Sequence, residues 1–162
     1  MNFLQSLKKS CCGSNNVKIT LIDTIPFIPP IYNGIVVKVY DGDTITIASK
    51  LPYKKSPMYR FKVRLNRIDT AEIRTKDLHE KEMAIIARDT LRDRIMNNTV
   101  ILKNISTEKY GRLLADVYYN DVCMNDWLLE KHLAVVYDGR TKTVVNWENM
   151  KKLHKHLKHH EL

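Results

Sequence analysis

Apolar and polar positions alternate with a period of two over residues 35–40 (IVVKVY), 44–49 (TITIAS) and 58–65 (MYRFKVRL). That is the pattern of strands that bury one face and expose the other. Between the first two runs stands Asp41-Gly42-Asp43, which predicts a hairpin turn in which the glycine supplies a positive φ. A basic, proline-containing loop over residues 50–57 separates the second run from the third, so three antiparallel strands in succession are expected. Upstream, residues 17–23 (VKITLID) also alternate like a strand. The segment after them carries Pro26, Pro29 and Pro30 and is extended or turning rather than helical.

Past residue 74 the period changes. Within residues 75–98, Leu78, Ala84, Ala87, Leu91 and Ile95 fall along one helical stripe with charges elsewhere. Two further strands are expected at 99–106 and 112–120, joined by the polar loop 107–111. Asn125 is placed to cap a short helix over 126–133, and residues 134–139 (AVVYDG) read as extended. In the last segment Trp147, Met150, Leu153 and Leu157 recur at helical spacing among lysines and histidines. Five strands, with a helix between the third and fourth, predict an α+β chain: a five-stranded Greek-key β-barrel of the oligonucleotide-binding (OB-fold) type with about three α-helices. The domain is expected over residues 34–162, after an N-terminal extension of residues 1–33.

With 162 residues, 44% of them hydrophobic, the chain supports one core of ordinary size. The formal charge of +9 changes the picture more, because such a field attracts polyanions, either nucleic acid or an acidic membrane surface. Cysteines at 11, 12 and 123 form neither a disulfide framework nor a C-x-x-C metal spacing, which favours a reducing, intracellular and cytoplasmic setting. The N-terminal residues lack a continuous apolar signal core, and no run approaches membrane-spanning length. Phe3, Leu4 and Leu7 can share a helical face beside Lys8, Lys9 and the pair Cys11/Cys12. That stretch is therefore either a frayed terminus or a lipid-modified peripheral membrane tether. His156 and His160, four apart, read as a solvated basic face or as a transition-metal chelate.

Candidate chemistry concentrates in three places. Asp43 lies just past the hairpin turn and is either incidental to it or half of a cation site. Arg64, Arg67, Asp69, Glu72 and Arg74 crowd one short stretch, where the two carboxylates are either N-caps for the helix that follows or functional groups. Lys109, Tyr110 and Arg112 surround Gly111 in a loop that is solvated or functional. Taken together, carboxylates for a cation, a base for water and guanidinium groups for phosphorus-borne charge are what phosphodiester cleavage needs.

The segments YDGDT (40–44), VRLNRIDTAE (63–72) and EKYGRLLADVY (108–118), with MNDWLLEKHLA (124–134) as a weaker fourth, occur in this order. Together they make the chain resemble the staphylococcal-nuclease-like, or thermonuclease, domain family over about residues 35–140. The resemblance implies a calcium-dependent endonuclease that hydrolyses DNA and RNA with little sequence preference, leaves 3′-phosphate ends and acts as a monomer. It implies that Asp43, Asp69 and the Thr70 backbone carbonyl bind Ca2+, a hard ion suited to oxygen ligands. It makes Glu72 the group that orients or deprotonates water, with Arg64 and Arg112 clamping the phosphate. Lys109, Tyr110 and Tyr137 would bind the flanking phosphate or nucleotide. On this reading, loss of either arginine costs rate and spares folding. Two departures stand out: Ala71 replaces a common proline, which loosens the loop carrying Glu72, and the tyrosine-rich stretch is reduced to AVVYDGR (134–140). A second reading keeps the barrel and basic surface as a non-catalytic nucleic-acid-binding module.

Overall fold

The computed structural model of the 162-residue chain describes residues 18–108, 110–140 and 144–160. Strands β1 (Asn33–Asp41), β2 (Thr44–Lys50) and β3 (Met58–Leu65) come first, then a two-residue β4 (Ile68–Asp69) and helix α1 (Leu78–Ile95). They are followed by β5 (Thr99–Thr107), β6 (Leu113–Tyr119), β7 (Val122–Cys123), α2 (Met124–Glu130), β8 (Val135–Val136) and α3 (Trp147–His160). The main sheet runs β3-β2-β1-β5-β6-β7, and a parallel pairing of Val63–Leu65 with Leu113–Ala115 joins β3 to β6. This closes β1, β2, β3, β5 and β6 into a five-stranded mixed barrel, the expected α+β fold of the oligonucleotide-binding type with three helices. Closure leaves the barrel strands few free edges.

Alternation explains the barrel filling: Ile45, Ile47, Val63 and Leu65 are fully buried at successive inward positions. Irregular register in β1 at Val36/Lys38 and Val39/Asp41 supplies the bends that a small barrel requires. Helix α1 packs on β1 with Met83, Ala84, Ala87, Leu91 and Ile95, each fully buried. Leu78, expected on that stripe, is 75% exposed, and Met83 takes the core position instead. The reason lies at the helix start: Asp77 is the N-cap, its Oδ1 accepting from the N–H groups of His79 (2.8 Å) and Glu80 (3.1 Å). Leu78 thus sits in the first turn, at the edge of the packed face.

Three further expectations are corrected. Residues 21–23 form a 3-10 turn rather than a strand, and Leu21 and Ile22 are exposed. Asn125 does not cap α2; Cys123 holds that position without a side-chain bond. Asn125 is instead fully buried, accepting from Val117 N–H (2.9 Å) and donating to the carbonyls of Asn66 (2.8 Å) and Ala115 (3.3 Å). A buried amide with its bonds satisfied fastens α2 to the β3–β4 connection and to β6.

The third concerns Gly42. Among the described residues the glycines with positive φ are Gly111 and Gly139, so the hairpin turn does not use Gly42 for its left-handed freedom. It uses the missing side chain: a Cβ here would lie 2.8 Å from Ala87 Cβ and 2.9 Å from Thr70 Cγ2. The turn is thereby seated against both α1 and the segment after β4. Gly42→Ala is expected to cost about 1–3 kcal/mol through overpacking, measured as a lower urea midpoint at unchanged m-value.

Candidate active site

Register brings the first groups together. Thr44 of β2 pairs with Arg64 of β3, and the Asp43 carbonyl accepts from Leu65 N–H at 2.8 Å, so the hairpin turn lies beside the Arg64 side chain. Asp69 reaches the same place because β4 pairs with β8, Asp69 opposite Val135. Arg64 bridges the two acids: one terminal nitrogen donates to Asp43 Oδ2, the other to Asp69 Oδ1 (2.8 Å) and to the Ile68 carbonyl (3.2 Å). Tyr137 follows β8, its N–H held by the Arg67 carbonyl at 2.9 Å, and its ring centre lies 5.9 Å from the Arg64 guanidinium. That distance suits a cation–π contact.

Arg112 comes in from the other side. Its Nε donates to Glu108, four residues earlier, and its Nη1 reaches Thr44 Oγ1 at 3.4 Å. Thr44 Oγ1 in turn donates to Asp43 Oδ1 at 2.9 Å. The two arginines therefore meet the same buried carboxylate, one directly and one through a hydroxyl. Glu72 is exposed at the rim, and its backbone N–H donates to Glu80 Oε1 (3.2 Å) of α1. Ala71 beside it is buried in the core cluster, so packing anchors the loop at the position where proline is absent. With Asp77 as the cap of α1, the capping alternative for Asp69 and Glu72 falls away.

Asp43, Arg64, Asp69, Glu72, Glu108, Arg112 and Tyr137 line one cavity of about 700 Å3, to which Asp41, Thr70, Tyr110 and Arg140 also contribute. Of the residues singled out in the sequence, Asp43, Arg64, Asp69, Thr70, Glu72, Tyr110, Arg112 and Tyr137 all border it. Lys109 lies outside the described residues, as do Cys11 and Cys12, and the side chain of His160, the partner proposed for His156, is likewise not described. Three contributors were not read from sequence as site residues. Asp41 was assigned to the turn, Thr44 only followed it, and Glu108 carried one signal, its four-residue offset from Arg112.

The local field is acidic. Burial, reinforced by the Asp41 carboxylate and only partly offset by Arg64, pushes the Asp43 carboxyl up to about 7. One Asp41 oxygen, Oδ1, is buried without a hydrogen-bond partner among the described residues. Carboxylates around a single bridging guanidinium, with an orphaned buried oxygen beside them, leave positive charge wanting. A hard divalent cation meets that deficit by donor chemistry, since every nearby donor is oxygen. Among the described residues no three acidic, histidine or cysteine side chains converge as a metal cage. Arg64 is equally part of this balance, because its loss would remove the bridging positive charge from two largely buried acids. The expectation that its removal spares folding gives way on that ground.

A family model, that of the staphylococcal nuclease homologue, matches residues 62–161. The match takes in Arg64, Asp69, Glu72, Arg112 and Tyr137 and begins after the 41–44 turn, so it is the Arg64–Asp43 bond that ties the turn to the site. No curated protein matches the chain.

Proposed function

The chain belongs to the staphylococcal nuclease homologue family, and on that premise we propose that it is a calcium-dependent nuclease. It hydrolyses phosphodiester bonds of DNA and RNA with little sequence preference and leaves 3′-phosphate ends. The observation that carries this reading is the convergence of Arg64 and Arg112 on Asp43, one directly and one through Thr44, at the wall of a cavity that Glu72 also borders.

In this mechanism Asp43, Asp69 and the Thr70 carbonyl hold Ca2+, which when bound supplies Lewis-acid polarisation of a phosphate oxygen. Arg64 and Arg112 present planar donors to the other phosphate oxygens, and Glu108 and Asp69 fix their orientation. Glu72 takes a proton from the attacking water as its oxygen bonds to phosphorus. The bond from phosphorus to the 5′-oxygen breaks, and that oxygen is protonated from solvent. Tyr110 and Tyr137, with Lys109, bind the neighbouring nucleotide.

Plasmid and RNA digestion in calcium, in magnesium and in chelator tests this. Cleavage with calcium and none with chelator is expected, and cleavage that survives chelation removes the metal assignment. Arg112→Ala is expected to lower kcat/KM about a hundredfold, with a smaller loss of melting temperature than Arg64→Ala because its side chain is 28% exposed and pairs with one acid rather than two. Arg112→Lys keeps the charge without the fork, and most of the loss persists. A folded protein that binds nucleic acid in calcium but cuts nothing would be the non-catalytic module.

A further inference from the structure

The barrel is closed between β3 and β6 by the short pairing of Val63–Leu65 with Leu113–Ala115. Below that short closure, residues 60–62 of β3 line a second groove, of about 660 Å3, whose far wall is Pro26, Phe27 and Pro29. Phe61 and Phe27 are its aromatic residues, and Arg60 and Lys62 its cations. The groove adjoins the candidate active site. Glu108 lines both cavities, and the connection from β5 to β6 is the partition, with Tyr110 and Arg112 on one side and Gly111 and Leu113 on the other.

Strand geometry gives the groove a direction. Residues two apart on a strand share a face, so Arg60, Lys62 and Arg64 form a row of cations spaced about 6.6 Å along β3. The row ends at the arginine that bridges Asp43 and Asp69. A row of cations with an exposed aromatic ring across from it suits a single strand: phosphates track the charges, and an unstacked base lies on the Phe27 ring, whereas Phe61 is partly buried against the core. Phe27 is 74% exposed, so its ring is available to a ligand and contributes little to the core. Three prolines within five residues hold this segment extended.

We infer that the groove between the proline-rich segment and β3 is a second nucleotide subsite, which holds single-stranded nucleic acid running away from the scissile phosphate. The inference deepens the nuclease reading and rests on it for the location of that phosphate. A duplex does not satisfy the groove, because its bases are already stacked on one another.

The test uses the full chain carrying Glu72→Gln, in calcium, with fluorescence anisotropy of labelled thymidine oligonucleotides two and eight residues long and of an eight-base-pair duplex. Phe27→Ala is expected to lower the ratio of octamer to dinucleotide affinity about tenfold, as loss of one stacked base implies, and Phe27→Tyr to restore it. Arg60→Ala with Lys62→Ala is expected to reduce the slope of log affinity against log salt by about 1.4, two phosphate contacts on a single strand. Unchanged octamer affinity and slope in these folded variants would overturn the subsite, as would equal loss for octamer and duplex. An unaltered octamer site would leave the open edge of β3 to another occupant, such as a peptide strand. The nuclease reading fails separately: a native protein with this length dependence that cuts nothing keeps the subsite and loses the activity.

Discussion

Arg64→Ala is expected to abolish phosphodiester hydrolysis and, in chelator, to lower the unfolding free energy by about 3 kcal/mol, the low end for breaking a buried ion pair from one side. At this chain length that corresponds to a melting temperature lower by roughly 6–12 °C. The cause is local. The Arg64 side chain is 13% exposed and serves Asp43 and Asp69, whose side chains are 5% and 11% exposed. Alanine leaves both acids without that counter-charge in a medium that hydrates them poorly. Arg64→Met fills similar volume without charge and should be no more stable, which separates lost charge from lost packing. Thermal melts with chelator, set beside those of Arg112→Ala, provide the check. Equal stability of the two alanine variants would show that Arg64 carries no structural share.

The second large effect is expected at Glu72. Glu72→Gln keeps shape and hydrogen bonding, cannot accept a proton from water, and is expected to lower kcat about 10²–10⁴-fold. Folding should be untouched, because the side chain is exposed at the rim and the bond from its N–H to Glu80 belongs to the backbone. Hydroxide can replace a missing base, so the gap between native and variant should narrow as the pH is raised. Single-turnover cleavage with calcium measures this directly. A variant with native kcat would remove Glu72 from the proton transfer and leave the arginines and the cation as the remaining contributors.

The two arginines look equivalent in the sequence, each in a basic motif beside an acid. They differ in what surrounds them. Arg64 enters from a central barrel strand and finds acids delivered by two other segments. Arg112 stands at the start of β6, where Glu108, four residues away, is a local partner. Sequence spacing can display the second relationship. The first depends on a hairpin register and on a two-residue pairing between β4 and β8, and neither leaves a periodic signal.

A similar division runs through the fold. Alternation identified the five barrel strands, and the 3.6-residue period identified α1, because a half-buried element repeats its environment at the period of its geometry. Leu78 and Met83 show where this stops: both are apolar, and the position of the Asp77 cap decides which enters the core. Asn125 shows it again, since a residue type common at caps is used here to satisfy three backbone groups from distant segments. Residues 17–23 alternate like a strand, but among the described residues they form no strand pairing, and Ile19, Leu21 and Ile22 remain exposed.

By itself, then, the sequence determined the strand and helix order, the basic character, and the identity of the acids and arginines. Those properties are written in local period and residue type. The tertiary structure alone decided that Gly42 is needed for space rather than for a left-handed turn. It alone joined Asp43 to Arg64 across β2 and β3, and it aligned Arg60 and Lys62 with the cleft along one face of β3. Each of these is a distance between segments remote in the chain, fixed by barrel closure and pairing register.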